Sequence, residues 1–328
     1  MLRVSASPHI RDPRTTRGIM LDVIISLMPA LVAAVLIFGP RSLAVVAVSV
    51  AVAVITEALS NLVMKRKQTV NDLSAVVTGI ILAYCLPASL PLWMVGLGAA
   101  VAIGAAKMIF GGLGDNFANP AITGRIFLAV SFGTQMSNSV VLARFAKAGT
   151  DIANQAAQLA SAADTDLVAQ ATPLAVARNM VEGNIPDYKT LFLGTHAGTI
   201  GEVSALALLI GVAWLLIRGV IDLWIPLSMI VPTVLLCWAA GGDPLLHLLS
   251  GGLILGAFFM ATDYVTSPIT ARGKVIFGLG CALLTFLMRM YSGMPEGVSY
   301  AILIMNILTP HINDWTKPIP IGGSKSGK

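Results

Sequence analysis

About ten apolar stretches, each near 20 residues long, occupy most of the chain. An α-helix of this length crosses a hydrocarbon core about 30 Å thick. The stretches are continuous and do not alternate with polar residues, which excludes a transmembrane β-barrel. Only 11% of the 328 residues are charged, too few to keep so apolar a chain dispersed in water. The sequence therefore predicts an all-α polytopic membrane protein with about ten transmembrane helices.

One long polar interval divides the chain into two membrane halves. We expect five helices in residues 20–134 and five in residues 200–312, joined by an external loop over residues 135–199. Residues 1–19 and 313–328 are then the two terminal segments. Because each half holds an odd number of helices, a repeat of one half in the other is inverted in the membrane. Short Gly/Ile/Leu matches on the third helix of each half fit two inverted repeats, and they fit chance equally well.

The predicted helices have short and long members. They are expected at residues 20–38, 42–63, 72–87, 92–110, 119–134, 200–217, 220–240, 245–262, 273–291 and 297–312. The third and fifth are short, and each begins at an Asn-containing turn that suits a helix N-terminus. Short segments interrupted by Gly or Pro often mark broken helices that line a site.

The basic residues orient the chain, because Lys and Arg concentrate in cytoplasmic loops. With a cytoplasmic N-terminus, fourteen of the 21 basic residues fall on the cytoplasmic side, Lys107 among them, and six fall opposite. An even number of helices returns the C-terminus to the cytoplasm. We therefore expect a multi-pass protein of the bacterial inner membrane without a cleaved signal peptide, whose 135–199 loop faces the periplasm.

Four of the charged residues in or beside the predicted helices are candidates for function, because charge at membrane depth is costly and usually functional. Glu57 lies inside the second helix, Glu202 at the external start of the sixth and Asp263 at the cytoplasmic end of the eighth. These three acids are candidates for an ion pathway, although a solvated helix end explains Glu202 and Asp263 as well. Arg125 in the fifth helix requires a partner or a water-filled cavity. The cysteines and histidines are dispersed, so no metal site is predicted.

The Gly-rich turn from Gly111 to Pro120 collects polar side chains beside the fifth helix. Asp115, Asn116 and Asn119 could bind the polar edge of a cofactor or an ion. A tight loop with an Asn/Pro helix cap accounts for the same residues. The sequence leaves both interpretations open.

Thr172 stands in the polar interval directly before Pro173, and from spacing alone it is a loop threonine or a helix N-cap. Six segments, however, resemble the RnfD/NqrB family of membrane subunits, which belong to the Rnf complex and the sodium-pumping NADH:quinone reductase. They are residues 7–11, 19–31, 111–121, 166–175, 198–202 and 260–268. The resemblance spans nearly the whole chain, and the short N-terminus is more similar to the Rnf members.

The resemblance implies a covalent flavin. In the family, a Thr that closes a Ser-Gly-Ala-Thr-type segment bears FMN through a phosphoester, and Thr172 occupies that position here. Ala171 fits the pattern, whereas Ala169 and Gln170 stand where Ser-Gly is usual. Arg178 and the backbone N–H groups of a helix that starts at Pro173 are candidates to bind the FMN phosphate.

The family also permits a second, non-covalent flavin such as riboflavin, although no motif fixes its site. Asn116 and Asn119 are the candidates for contacts to a cofactor in the Gly-rich turn. Arg125 could pair with an acid or hold a flavin carbonyl.

The implied activity is that of one subunit in an ion-translocating ferredoxin:NAD oxidoreductase, which passes electrons through FMN and contributes to Na⁺ or H⁺ translocation. The sequence holds no nucleotide-binding Gly motif and no Cys cluster, so we expect no complete active site on this chain alone. Expected partners are a second covalent-flavin subunit, iron–sulfur subunits, an NAD-binding subunit and small membrane subunits, with no nucleic acid. The alternative is a stand-alone channel or transporter for a small solute. The composition fits that alternative equally well, but the flavin-type loop does not.

Overall fold

A computed structural model of the chain describes the two membrane halves and parts of the segments around them. The described residues are 14–137, 140–142, 167–169, 172–178, 185–202, 204–292 and 296–318. Most of the connecting loop, the first 13 residues and the end of the tail lie outside the described residues. The predictions made for those parts of the chain stay predictions.

Five helices of the first half follow the predicted order. They are α1 (Thr16–Phe38), α2 (Arg41–Val63), α3 (Ser74–Tyr84), α4 (Leu92–Ile103) and α5 (Pro120–Ser131), and α6 (Gly133–Ser137) is a short addition. A 3₁₀ turn (Val70–Asp72) precedes α3, and α4 continues into a π-helix (Gly104–Met108). The predicted short third and fifth helices are confirmed.

The second half follows the predicted order with one break. It contains α9 (Ala205–Ile217), α10 (Trp224–Ala239), α11 (Pro244–Leu249), α12 (Leu253–Leu255), a π-helix (Gly256–Met260), α13 (Ala271–Tyr291) and α14 (Val298–Thr316). The prediction of one continuous helix over residues 245–262 is wrong. Gly251 and Gly252 take φ values of +69° and +64°, and two consecutive left-handed residues end a right-handed helix.

The described parts of the connecting loop contain four short elements. Strands β1 (Val140–Leu142) and β2 (Leu167–Ala169) pair antiparallel, with Val141 opposite Val168. Helices α7 (Pro173–Ala177) and α8 (Tyr188–Leu193) follow. The fold is therefore helical as predicted, with one two-stranded exception in the loop between the halves.

The long helices identify the chain as a membrane protein. Among the described residues, α1, α2 and α13 have the length and apolar composition of membrane-spanning helices. Five further apolar helices are shorter than a full span, with α4 and its π-helix counted together. The total of ten spans and the inverted repeat remain predictions.

Each half packs around its own long helices, and the halves meet through α1 and α9. In the first half α2 packs on α3 and α4, whereas in the second half α10 packs on α13, and α13 on α14. A Cβ atom added to Gly211 of α9 would fall 2.0 Å from the backbone oxygen of Ser26 in α1, so only glycine permits this approach. Helix association in membranes commonly depends on such small residues.

Candidate functional site

The candidate residues form two groups at opposite ends of α13. With a rise of 1.5 Å per residue, the 21 residues of α13 span about 31 Å. We call the end near Ala271 the cavity end, and the end near Tyr291 the loop end. Residues 172–178 contact the loop end and are called the Thr172 segment.

Thr172 caps the N-terminus of α7. Its backbone is extended, and its Oγ1 atom accepts a hydrogen bond of 3.4 Å from the backbone N–H of Ala175. Of the two structural alternatives, a loop threonine and a helix N-cap, the structure shows the N-cap. The side chain is half-buried, so part of it reaches the surface.

Two anchors hold the Thr172 segment against the second half. Leu174 is buried and lies on Gly251, whose added Cβ atom would fall 2.2 Å from Leu174 Cδ1. Arg178 donates hydrogen bonds to the backbone oxygens of Ser292 and Met290, the second over 3.1 Å. Because a helix C-terminus carries partial negative charge, a guanidinium is favourable there. Arg178 thus secures the segment, and both of its terminal nitrogens already contact backbone oxygens.

Arg289 supports the same region from inside the protein. Its guanidinium is fully buried and donates to the backbone oxygens of His247 (2.5 Å), Ser250 (2.8 Å) and Gly251 (3.2 Å). These carbonyls lose their helical partners at the break between α11 and α12, and Arg289 replaces them. The sequence pattern places Arg289 only among the charges on the external side. An arginine inside an apolar helix is the signal that could have identified it.

Arg125 finds an acidic partner. Its Nη2 atom lies 2.9 Å from Glu296 Oε2, and Nη1 donates to the hydroxyl of Ser299 at the start of α14. This ion pair connects the two halves, since Arg125 belongs to α5. Arg125 does not line the cavity described below, whereas Asn116 and Asn119 do.

Glu202 is buried, so the solvated helix end is the wrong alternative for this residue. Its Oε2 atom accepts a hydrogen bond of 2.6 Å from Thr199, and it faces Gly252 at the α11–α12 break. The preceding Gly201 donates to the backbone oxygen of Tyr84 at the end of α3. Glu202 therefore lies where the broken helix of the second half meets the end of α3.

A cavity of about 100 Å³ opens between the two halves at the cavity end. It has room for several water molecules. Its walls come from α1, α3, both π-helices and the turns around residues 113–121, 220–221 and 262–265. The polar side chains in the wall are those of Ser74, Thr78, Lys107, Asn116, Asn119, Thr262 and Asp263.

Asn116 and Asn119 differ in the hydrogen bonds that their side chains already make within the protein. Asn119 caps α5, since its Oδ1 accepts from Ala121 at 3.0 Å, and its Nδ2 donates to the backbone oxygen of Met260 at 3.3 Å. Asn116 is buried, and its Oδ1 atom has no hydrogen-bond partner among the described residues. Such an orphaned acceptor is unusual in a folded protein and calls for a ligand or water. Of the two asparagines, Asn116 is therefore the one available to a ligand.

Asp263 also faces the cavity. It is half-buried, and its Oδ2 atom accepts a hydrogen bond of 3.1 Å from Thr266. Its location at the end of the second π-helix joins it to the Asn116 group and separates it from Glu202.

Glu57 is fully buried and forms an ion pair that the sequence pattern does not predict. Lys107 Nζ lies 2.8 Å from Glu57 Oε2, and the lysine is only 2% exposed. The sequence pattern counts Lys107 among the basic residues of the cytoplasmic side, whereas the structure shows a buried and paired side chain and not an exposed loop charge. Lys107 lies on the π-helix after α4, where the sequence predicts a regular helix over residues 92–110. Lys107 also lines the cavity.

A smaller contact holds α8 at the start of α11, outside the helices that qualify as spans. The hydroxyl of Tyr188 donates to Asp243 Oδ2 over 2.5 Å. This hydrogen bond lowers the pKa of Asp243 and raises the pKa of Tyr188. The contact lies at the loop end, where α11 also contacts α7.

The chain matches one protein-family model and several relatives over nearly its whole length. The model of the NQR2, RnfD, RnfE family covers residues 3–322. The D component of the Na⁺-translocating ferredoxin:NAD⁺ oxidoreductase complex of Acetobacterium woodii is 44% identical, and the alignment covers 100% of this chain and 97% of that relative. The D component of the proton-translocating ferredoxin:NAD⁺ oxidoreductase complex of Clostridium ljungdahlii is 40% identical over 97% of this chain and 96% of the relative. The D component of the ion-translocating oxidoreductase complex of Salmonella typhi is 35% identical, with 99% of each chain covered.

Proposed function

The chain belongs to the NQR2, RnfD, RnfE family, and we propose that it is the RnfD-type membrane component of an ion-translocating ferredoxin:NAD oxidoreductase complex. Full-length relatives at 44% and 40% identity support this assignment. The chain acts as one membrane subunit of a translocase, and other subunits of the complex supply the sites for ferredoxin and NAD. The two relatives are named for different ions, Na⁺ and protons.

We further propose that Thr172 carries FMN through a phosphoester. The supporting observation is the way the Thr172 segment is held, with Leu174 on Gly251 and Arg178 on the end of α13. Because Leu174 and Arg178 fix the segment, the Thr172 hydroxyl has a defined position at the loop end. Attachment of the phosphate to Oγ1 leaves that atom an ether-like oxygen, which still faces the N–H of Ala175.

In-gel fluorescence tests this attachment. The complex is purified from a host that has the flavin transferase and denatured, and the band of this chain is examined under ultraviolet light. We expect a fluorescent band for wild type and none for Thr172→Ala. Thr172→Asn is the sharper variant, because asparagine keeps the N-cap acceptor but has no hydroxyl to esterify. Thr190→Ala, a half-buried threonine of α8, is the matched control that keeps the fluorescence.

We propose that a second, non-covalent flavin such as riboflavin binds at the mouth of the cavity with the polar edge of its ring inside, because about 100 Å³ is too small to enclose a whole flavin. Asn116 Oδ1 offers an unpaired acceptor to a ring N–H group, and the ammonium of Lys107 offers a donor to a ring oxygen. Flavin released into the supernatant on denaturation is the measurement. Asn116→Leu should lower that amount by one flavin per complex and leave the covalent band unchanged, whereas an unchanged amount excludes the cavity as a flavin site.

The orientation proposed for the complex is that of a bacterial inner membrane, with both termini in the cytoplasm and the Thr172 segment in the periplasm. Basic residues gathered at the cavity end support it. There Arg218 pairs with Asp22, Lys274 pairs with Asp222, and Arg14 binds the backbone oxygen of Gly219. Glu57, Glu202 and Asp263 remain the proposed acids of the ion pathway, now divided between the two ends.

A solute transporter is the second candidate, because the cavity lies between two halves that contain broken helices. A purified chain that carries no flavin but transports a solute across vesicles would favour it. The anchored Thr172 segment has no role in such a transporter.

A further inference from the structure

The ion pair of Glu57 and Lys107 lies between the cavity and the loop after α2. On the surface side, Glu57 Oε1 accepts a hydrogen bond of 2.5 Å from Thr69, an exposed residue of the loop after α2. Asn61 donates to the same threonine oxygen over 2.9 Å. On the inner side, Lys107 lines the cavity. A continuous row of polar side chains therefore leads from the loop through Glu57 and Lys107 to the cavity.

Lys107 has a second hydrogen bond that defines its position. Its ammonium donates to the hydroxyl of Ser74 over 2.6 Å, and Ser74 donates to Asp72 over 2.5 Å. Asp72 is half-buried, and it is the other acid in this polar row. Lys107 thus contacts the carboxylate of Glu57 directly and is linked to Asp72 through the hydroxyl of Ser74. Its ammonium can leave Glu57 and still keep the partner Ser74.

Stability alone is a weak reason for this pair. Removing two charges from water costs several kcal/mol per ion, and an apolar pair of similar volume is often at least as stable. Charged side chains at membrane depth are rare and usually mark ion or proton pathways. Lys107 moreover lies on a π-helix, a local distortion that occurs frequently at functional sites.

The cavity supplies an independent sign that a ligand comes close to Lys107. Asn116 is more than nine-tenths buried, lines the same cavity and has an Oδ1 atom that no described residue pairs. An electron carrier that donates an N–H group to Asn116 lies in the same cavity as the Lys107 ammonium. A gain of negative charge on such a carrier attracts that ammonium.

We propose that Lys107 is a charge relay between an electron carrier in the cavity and a monovalent-cation site at Glu57. An electron that reaches the carrier, supplied by ferredoxin or NADH through the complex, adds one negative charge to the cavity. The flexible lysine turns toward that charge and releases Glu57. The carboxylate then takes up one Na⁺ or one proton through Thr69, so one added electron is balanced by one added cation. When the electron leaves, Lys107 returns to Glu57 and displaces the cation into the cavity, away from Thr69, so the cation has moved inward from the loop side. The relay rests on the proposed function, since it requires electron flow through this subunit.

The test uses the whole complex in proteoliposomes. Glu57→Gln/Lys107→Met removes both charges together, so neither is left buried and unpaired. Electron transfer is followed by NADH absorbance, Na⁺ movement by ²²Na⁺ and proton movement by a trapped pH dye. The matched control is Asp222→Asn/Lys274→Met, which removes a surface pair at the same end.

We expect the double variant to transfer electrons more slowly than wild type, because the carrier loses the Lys107 charge, and to lose about tenfold or more in cations moved per electron, because no carboxylate receives the cation. The ²²Na⁺ and pH arms identify which cation is lost. The control should keep the wild-type ratio. A double variant that keeps the wild-type ratio overturns the relay alone, and so does an assembled variant that loses electron transfer and ion movement together. A wild-type complex that moves no cation overturns the proposed function as well.

A conservative variant keeps the proposal testable if the double variant does not assemble. Lys107→Arg retains the charge but binds a carboxylate through two parallel hydrogen bonds, which makes release harder. The relay predicts a cation concentration for half-maximal uptake that is about threefold higher or more. A purely structural ion pair predicts no change in that concentration.

Discussion

The two ends of α13 carry candidate sites that the chain builds in opposite ways. At the loop end, one contiguous segment lies on a finished helical surface and is held by Leu174 and Arg178. At the cavity end, the walls come from both halves, and neighbours such as Asn116 and Asp263 are far apart in sequence. A site of the first kind can be identified in one stretch of sequence, whereas a site of the second kind exists only after the halves have packed.

The two ends also use buried charge differently. Arg289 at the loop end binds three backbone oxygens and supports the break between α11 and α12. Lys107 at the cavity end is paired with a carboxylate and also lines the cavity. The charge of Arg289 stabilises the helix break, whereas the charge of Lys107 lies where it can respond to a ligand in the cavity. Variants at one end should therefore leave the other end unchanged.

The largest effect is expected at the loop end from Arg289→Leu. The change leaves the carbonyls of His247, Ser250 and Gly251 buried without donors, at a cost of about 3 kcal/mol or more. The measurement is the midpoint of thermal unfolding of the purified complex, followed by the fluorescence of the covalent flavin band in soluble material. Arg218→Leu, which removes a half-exposed charge at the cavity end, is the control with little effect. Equal stabilities of the two variants would contradict the role given to Arg289.

Arg178→Ala should have a smaller effect that separates positioning from attachment. The covalent flavin band stays, because Thr172 is unchanged, but the segment loses its contacts to Met290 and Ser292. A misplaced carrier lowers the rate of electron transfer by about tenfold or more. NADH oxidation by the complex measures this rate, and the band measures attachment. If the band disappears together with the rate, Arg178 serves the flavin transferase and not the docked carrier.

Asn116→Leu sharpens the comparison from the cavity end. Loss of the unpaired Oδ1 acceptor should remove the non-covalent flavin. The stability cost should be small, because Oδ1 makes no bond to the described residues and Nδ2 donates one bond of 3.3 Å to the backbone oxygen of Ala118. The unfolding midpoint should stay within about 2 °C of wild type. Asn119→Leu is the contrasting variant, since it removes the cap of α5 and should cost about 1 kcal/mol. Equal losses of stability would show that Asn116 is structural as well.

The smallest effect is expected from Tyr188→Phe at the loop end. The pKa of Asp243 is lowered in the folded protein. The hydrogen bond from Tyr188 therefore contributes its full stabilisation above the ordinary carboxyl pKa of about 4. This stabilisation is lost as the pH falls through the lower folded pKa. The raised pKa of Tyr188 means that the bond is also lost as the pH rises through the folded value, above about 10. The thermal unfolding midpoints of Tyr188→Phe and wild type are measured at pH 7 and at pH 3. The difference between the two proteins should be smaller at pH 3. A constant difference would mean that the contact does not depend on the charge of Asp243.

Much of the loop end could be predicted from sequence. Thr172 before Pro173 predicts an N-cap, and the structure shows it. The break at Gly251 was missed although its signal was present, since two adjacent glycines are the residues that readily take positive φ. What the sequence did not contain was the surface on which Leu174 and Arg178 lie, because that surface belongs to residues more than 70 positions away.

The cavity end was less accessible to prediction. The need of Arg125 for a partner was predicted, but its identity as Glu296 depends on the packing of α5 against α14. The sequence pattern uses Lys107 only to orient the chain, because basic residues concentrate on the cytoplasmic side, and it does not predict a buried ion pair. Only the π-helix and the position of α2 bring it to Glu57. Pairings between helices depend on tertiary packing, and a single sequence carries little information about them.

The central claim, that the Thr172 segment is a docked flavin carrier, is tested most directly by the mass of the peptide that contains Thr172. The complex is purified, this chain is digested with protease, and the peptide is fragmented to locate the modification. We predict a peptide heavier by FMN less one water, with the added mass on Thr172, and an unmodified peptide in Thr172→Asn. An unmodified wild-type peptide, or FMN on another residue, would contradict the account.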